Sequence, residues 1–192
     1  SSYGGVIAYR SVDRNWLKEN VETHSLSEVL EMPWKGLAIE RIKLPHSLSL
    51  LVGWTGRAAS TEGLVSQMGQ GRHQAEKERF YQTFLAESQA CLDGLIEACR
   101  EEDVRAFREG ITENRRLLQA FASQMNLVIE TPSLAKLCQV AEEVGAVAKS
   151  SGAGGGDCGI CFVTEEKEAD RIRQKWQAAG ILPLDFAIAD EV

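Results

Sequence analysis

The sequence predicts an α+β fold, an antiparallel sheet of about four strands with helices packed on one face. Three observations carry this. Short apolar runs of strand character come first, at residues 4–10, 37–42 and 48–54. Three stretches between residues 75 and 144 then repeat their apolar side chains every three or four positions. The chain closes on a strand, a helix and a further strand between residues 158 and 189. With 192 residues and 44% hydrophobic content, it has enough apolar side chain for one compact domain with its own core.

Residues 4–10 (GGVIAYR) read as a strand entered through small residues. The polar stretch after it offers only Trp16 and Leu17 as apolar anchors. Ser25, followed three residues later by Glu28, is a capping box and predicts a helix over 25–30. Residues 37–42 alternate like a strand, and 48–54 (LSLLVGW) form an apolar run typical of a buried one. A short helix is expected over 60–68, broken by Gly69-Gln70-Gly71.

Helical spacing then continues through Phe80, Phe84, Leu85, Leu92, Leu95 and Ile96, and again through Phe107, Ile111, Leu117, Leu118, Phe121 and Met125. Those stripes are core, and Arg115-Arg116 between them reads as a solvated face. Pro132 at a first helical position after Thr131 opens a third helix that runs to Val144. A strand is expected at 158–164, a helix at 166–179 stopped by Gly180, and a last alternating strand at 182–189. No repeat, low-complexity segment or interdomain linker interrupts this order.

Charge and composition exclude several function classes. Lys and Arg number 21 against 28 Asp and Glu, a net charge of −7. No basic stretch suits a nucleic acid or an anionic membrane surface, and no run is long and apolar enough to span a bilayer. The first residues lack the basic and apolar regions of a signal peptide, and the missing initial Met is what a processed or truncated product would show. Five cysteines, an odd number scattered through helical patterns, argue for free buried thiols in a reducing cytoplasm.

The strongest chemical signal is Ser150-Ser151-Gly152-Ala153-Gly154-Gly155-Gly156-Asp157. Four glycines in five positions disfavour helix and strand alike. They permit positive φ, so that successive N–H groups can curl into a nest for an anion. Ser150 and Ser151 add hydroxyl donors; Lys149 either adds charge or faces solvent. Asp157 is either a catalytic carboxylate or, the favoured reading, a brace for the loop. The plain alternative is a flexible linker, which the tight placement between a helix and a buried strand disfavours. The loop is neither a Walker A motif nor a Rossmann turn, because no Gly-Lys-Ser/Thr follows and the helix precedes it.

A second candidate is the turn after residues 48–54, where Thr55, Ser60 and Thr61, with Arg57 nearby, place hydroxyls at a helix start suited to an anion. Ordinary capping by Ser60 or Thr61 explains them equally well. Cys158-Gly159-Ile160-Cys161 has redox or zinc spacing, but on a strand its two sulfurs point to opposite faces. His24, His46 and His73 sit among polar residues with no nucleophile nearby.

Residues 149–160 (KSSGAGGGDCGI) resemble the third motif of the GHMP kinases, in the form carried by their bacterial phosphomevalonate kinase branch. Tyr9-Arg10-Ser11 with Asp13-Arg14, Leu51-Val52-Gly53-Trp54-Thr55 and the closing helix with Trp176 agree in order and spacing. The resemblance implies a ferredoxin-like C-terminal domain over residues 1–192. It implies a parent enzyme that moves the γ-phosphoryl of ATP, assisted by Mg²⁺, onto 5-phosphomevalonate in isoprenoid synthesis. In that reading Gly152, Ala153, Gly154, Gly155 and Gly156 present N–H groups to phosphate oxygens, Ser150 and Ser151 donate to them, and Thr55, Ser60 and Thr61 hold the substrate phosphate. Lys149 and Asp157 brace the loop.

The family's ATP loop (Pro-x-x-x-Gly-Leu-Gly-Ser-Ser) is absent, and so is its catalytic aspartate, which lies just before the strand opening here at Tyr3. The family's N-terminal half is therefore expected as a partner. No catalytic residue is expected in this chain, nor activity from it alone. The alternatives are a mevalonate kinase-like enzyme and a non-catalytic phosphate-ligand module.

Overall fold

The computed structural model describes residues 4–57, 74–152 and 154–188. The helix expected over 60–68, with Ser60, Thr61 and the glycines that end it, lies outside them, as do Ala153 and His73. The chain divides into two compact units, residues 1–43 with 188–192, and residues 44–187.

In the first unit β1 (Val6–Arg10) pairs antiparallel with β2 (Ala38–Ile42), Ala8 opposite Glu40. Between them lie α1 (Arg14–Thr23) and α2 (Leu26–Glu31). Helix α1 stands where the apolar pattern suggested only a polar stretch. It buries no side chain, so periodicity had nothing to register. Its start is set by Asp13, whose carboxylate accepts the N–H groups of Asn15 and Trp16, each at 3.0 Å. The capping box of α2 is complete: Ser25 Oγ accepts from the Glu28 N–H, and Glu28 accepts the Ser25 N–H at 2.8 Å. Val29 is buried, and its carbonyl accepts the Trp34 indole N–H at 2.9 Å.

The second unit holds β3 (Ser49–Trp54), α3 (Gln74–Arg100), α4 (Val104–Met125), α5 (Pro132–Val144), β4 (Val147–Ser150), β5 (Cys158–Val163), α6 (Glu166–Ala178) and β6 (Leu182–Leu184). Its strands form one antiparallel sheet in the order β4-β5-β3-β6. That is the split βαββαβ arrangement, with α3 and α4 inserted before the first crossover helix α5. Helix α5 starts as its sequence predicts, with Thr131 as N-cap and Pro132 in the first turn, and it ends on a left-handed Gly145.

Helices α5 and α6 cover one face of the sheet. Leu137, Cys138 and Ala141 of α5 meet Ile172 and Trp176 of α6 over Leu51, Ala148, Cys161 and Val163, all buried. Gly53 and Gly159 stand opposite each other in neighbouring strands, and a Cβ on either would come within 3.0 Å of Leu137. The Trp176 indole N–H donates to the Leu137 carbonyl at 3.1 Å, which gives the buried indole its partner inside the core. A second cluster joins Phe121, Met125, Leu127 and Ile129 to Phe80 and Phe84 of α3, with the Phe84 and Phe121 rings 4.4 Å apart.

Two boundaries differ from the sequence expectation. Residues 147–150 form a strand, so the glycine loop begins at Ser151 and is the tip of the β4–β5 hairpin, with Ser150 opposite Gly159. The final strand stops at Leu184: residues 185–188 keep their alternation without a partner strand, and Phe186 is exposed.

Candidate functional site

The glycine loop is anchored at three places. At its base the Ser151 N–H donates to the Cys158 carbonyl at 3.0 Å, which closes the hairpin. On one flank the Thr55 N–H donates to the Asp157 carbonyl at 2.8 Å, and the Asp157 N–H donates to the Arg57 carbonyl at 2.6 Å. These bonds carry the β3–β5 pairing past Trp54 and tie the loop to the turn that follows β3. On the other flank the Gly155 N–H donates to the Ile129 carbonyl at 2.7 Å.

The backbone requires glycine here. Gly154, Gly155 and Gly156 have φ of 80°, 83° and 136°, and a Cβ on Gly154 would lie 2.3 Å from the Ile129 oxygen. Asp157 follows at φ 59°, a conformation that Asp tolerates better than most residues. Its brace is made by the backbone, and its side chain is exposed. Three loop amides, those of Gly152, Gly154 and Gly156, have no acceptor among the described residues. Thr55 Oγ1 is buried beside the same loop and likewise has no partner among them.

Ser150 and Lys149 shape the loop from beneath. Ser150 is buried, and its hydroxyl donates to the Gly152 carbonyl at 3.4 Å. Lys149 is half-buried, where a solvent-facing lysine was one expectation, and its ammonium donates to the Ser150 carbonyl at 2.7 Å. Burial pulls its pKa down, while the nearby Cys138 and Cys91 pull the other way. Ser151 is exposed at the loop's edge. Cys161 is buried in the core while Cys158 is half-buried beside Asp157, as strand alternation requires.

One reading needs correction. Arg115 does not lie on a solvated face: its side chain is 16% exposed and forms a two-pronged pair with Glu130, Nε–Oε2 at 2.7 Å and Nη2–Oε1 at 2.8 Å. A further arm reaches Glu142, and Gln119 Nε2 donates to both Glu130 oxygens. The hydrogen bond from Arg115 holds the Glu130 carboxyl below its ordinary range against the opposing effect of burial. The signal was present in the sequence, since Arg115 stands four residues after the buried Ile111 and so falls on the apolar stripe itself. Arg116 is exposed and pairs with Glu113, as a solvated residue would.

Residues 95–182 match the protein family described as GHMP kinases C terminal. The chain is 37% identical, over its whole length and 51% of the relative's, to a phosphomevalonate kinase from Streptomyces sp. (strain CL190). Among solved structures, the Lin0012 protein from Listeria innocua superposes with a TM-score of 0.91 at 37% identity, covering 98% of this chain and 52% of that one. The Streptococcus pneumoniae phosphomevalonate kinase, in complex with phosphomevalonate and AMPPNP, superposes with a TM-score of 0.79 at 31% identity, covering 94% and 51%. The chain thus spans about half the length of these relatives. With its split βαββαβ sheet and its anchored glycine hairpin, the chain carries a GHMP kinase C-terminal domain, matched over residues 95–182.

Proposed function

We propose that this chain supplies the C-terminal half of a phosphomevalonate kinase, which transfers the γ-phosphoryl of ATP to 5-phosphomevalonate and yields 5-diphosphomevalonate and ADP. The observation that carries the reading is the set of amides at Gly152, Gly154 and Gly156 that have no acceptor among the described residues, on a loop fixed at both flanks. Phosphoryl transfer spreads negative charge over the equatorial oxygens, and fixed N–H donors stabilise it without reorganising. The 37% identity along the chain to a phosphomevalonate kinase favours that substrate over mevalonate.

In this reading the three amides face phosphate oxygens, and the Thr55 hydroxyl offers a buried donor to the substrate phosphate. Ser151 lies at the mouth. Ser150 and Lys149 hold the loop's shape through the Gly152 and Ser150 carbonyls. Among the described residues no three His, Cys, Asp or Glu side chains converge on a metal position. Mg²⁺ is commonly held by one or two carboxylates together with substrate phosphates, and no step assigned to this chain runs through it. The nucleotide and Mg²⁺ fall to the half of the relatives that has no counterpart in this sequence.

A coupled ADP-release assay with ATP and Mg²⁺ tests this on the chain alone and on the chain joined to an N-terminal half from a phosphomevalonate kinase. Turnover with 5-phosphomevalonate only in the joined form is expected. Turnover with mevalonate instead would move the assignment to a mevalonate kinase. Binding of phosphomevalonate without turnover in the joined form would favour a non-catalytic module.

A further inference from the structure

The glycine hairpin is tied to the rest of the molecule by a contact that its own sequence does not contain. Its Gly155 amide docks on the Ile129 carbonyl, and Gly154 packs so closely on the same carbonyl that no side chain fits. Ile129 sits in the connection between α4 and α5, after the left-handed Asn126 cap and beside Leu127, both Leu127 and Ile129 being buried. The next residue, Glu130, is the one gripped by Arg115 and Gln119 of α4, and Thr131 after it caps α5.

The geometry points to the Arg115–Glu130 pair as a positioning device for the proposed phosphate loop. It fixes the Ile129 carbonyl and through it the amides of Gly154, Gly155 and Gly156. This rests on the kinase reading for its catalytic meaning, but not for its structural content. A planar guanidinium with two parallel bonds to one carboxylate sets direction as well as distance, which a lysine cannot reproduce. Gln119 of α4 adds its amide donor to both Glu130 oxygens, and Glu142 of α5 holds a further arm of Arg115, so the pair is tied to both helices. Among the described residues neither Arg115 nor Glu130 forms a hydrogen bond or ion pair with the loop, and both act through the connection.

Hydrogen exchange read by mass spectrometry on the intact protein separates this from a general stabilising role. Glu130→Gln keeps the size and removes the charge, Arg115→Lys keeps the charge and loses the fork, and Arg116→Ala removes an exposed pair that has no tie to the loop. Exchange over 151–158 is expected to rise about tenfold in Glu130→Gln, less in Arg115→Lys, and not at all in Arg116→Ala, while peptides from α6 stay protected. Arg115→Met should match Glu130→Gln; should it not fold, Glu130→Gln alone decides. Unchanged loop exchange in folded Glu130→Gln overturns the proposal.

Kinetics on the joined enzyme give the second arm. A loosened loop should lower kcat with KM little changed, as for donors used mainly in the transition state, and Arg115→Lys should recover part of the loss. A loosened loop with full kcat would overturn the positioning role. If the unsubstituted enzyme turns over no substrate, the kinase reading fails, and the exchange data still judge the ion pair.

Discussion

Replacing Gly154 by Ala strikes the tightest contact around the loop. The new Cβ would lie 2.3 Å from the Ile129 oxygen, 2.6 Å from its Cγ2 and 2.8 Å from its carbonyl carbon. Two of those atoms are backbone and cannot swing away. The residue also keeps φ at 80°, which costs a residue with a side chain about 1–2 kcal/mol. Relief of the clash requires the loop to lift, which breaks the Gly155–Ile129 hydrogen bond and costs about 1 kcal/mol more. The sum is about 2–3 kcal/mol, or roughly 4–12 °C in Tm for a chain of this size. Gly152→Ala is the matched control: nothing lies within 4 Å of its Cβ position, and its φ is not left-handed. It should be neutral or slightly stabilising, by about 0.4–1 kcal/mol. Urea or thermal unfolding of the two variants side by side is the assay. Equal stabilities would refute the close docking of the hairpin on Ile129.

Three further outcomes are expected. Trp176→Phe should lower stability by about 1–3 kcal/mol in urea unfolding, because the indole N–H bond to the Leu137 carbonyl and part of the buried ring are lost; an unchanged stability would mean that neither contributes. Burial pushes the Cys138 and Cys161 thiols up to about 12, so iodoacetamide at pH 8 should label Cys91 and Cys158 in the folded protein and reach Cys138 and Cys161 only after denaturant. Mass-spectrometric detection of early labelling at Cys161 would contradict the core as described. Glu130 has its pKa lowered on folding, so its stabilising effect is complete above its ordinary value of 4.5 and is lost as pH falls through the folded value. The stability gap between the unsubstituted protein and Glu130→Gln should be constant near neutrality and close in acid; a gap independent of pH would deny the charge a role.

The features legible in the sequence were those with local causes. Ser25 with Glu28, Thr131 with Pro132, and the stripes of α4 and α5 each act within a few residues, and each appears where expected. Helix α1 escaped because its signal is a single cap, Asp13, followed by polar residues that bury nothing. Strand β4 escaped because Lys149 and Ser150 look like loop residues until Ile160 and Gly159 stand opposite them, and that pairing is a tertiary fact. At the site the glycines announced a special backbone, yet their composition could not say which amides would be used internally. Gly155 and Asp157 give their N–H groups to Ile129 and Arg57, so the set left for a ligand is smaller than the motif suggests. Arg115 looks solvated by its charge, yet it occupies a place on the buried stripe, and a partner distant in sequence makes that tolerable.

The facing glycines of β3 and β5 have a consequence for how such sequences can vary. Gly53 and Gly159 leave a notch in the sheet, and the Leu137 side chain is the key that drops into it, with the Trp176 ring over Gly53. A notch and key fix how far α5 can slide along the strands, much as a detent fixes a dial. No single change at the three positions is free: enlarging either glycine jams the key, and trimming Leu137 leaves an empty slot of the kind that costs about 2–5 kcal/mol in a core. Relatives that carry Ala at either glycine should therefore carry a smaller residue at the position of Leu137, and the loss of one part should be found with the loss of the other.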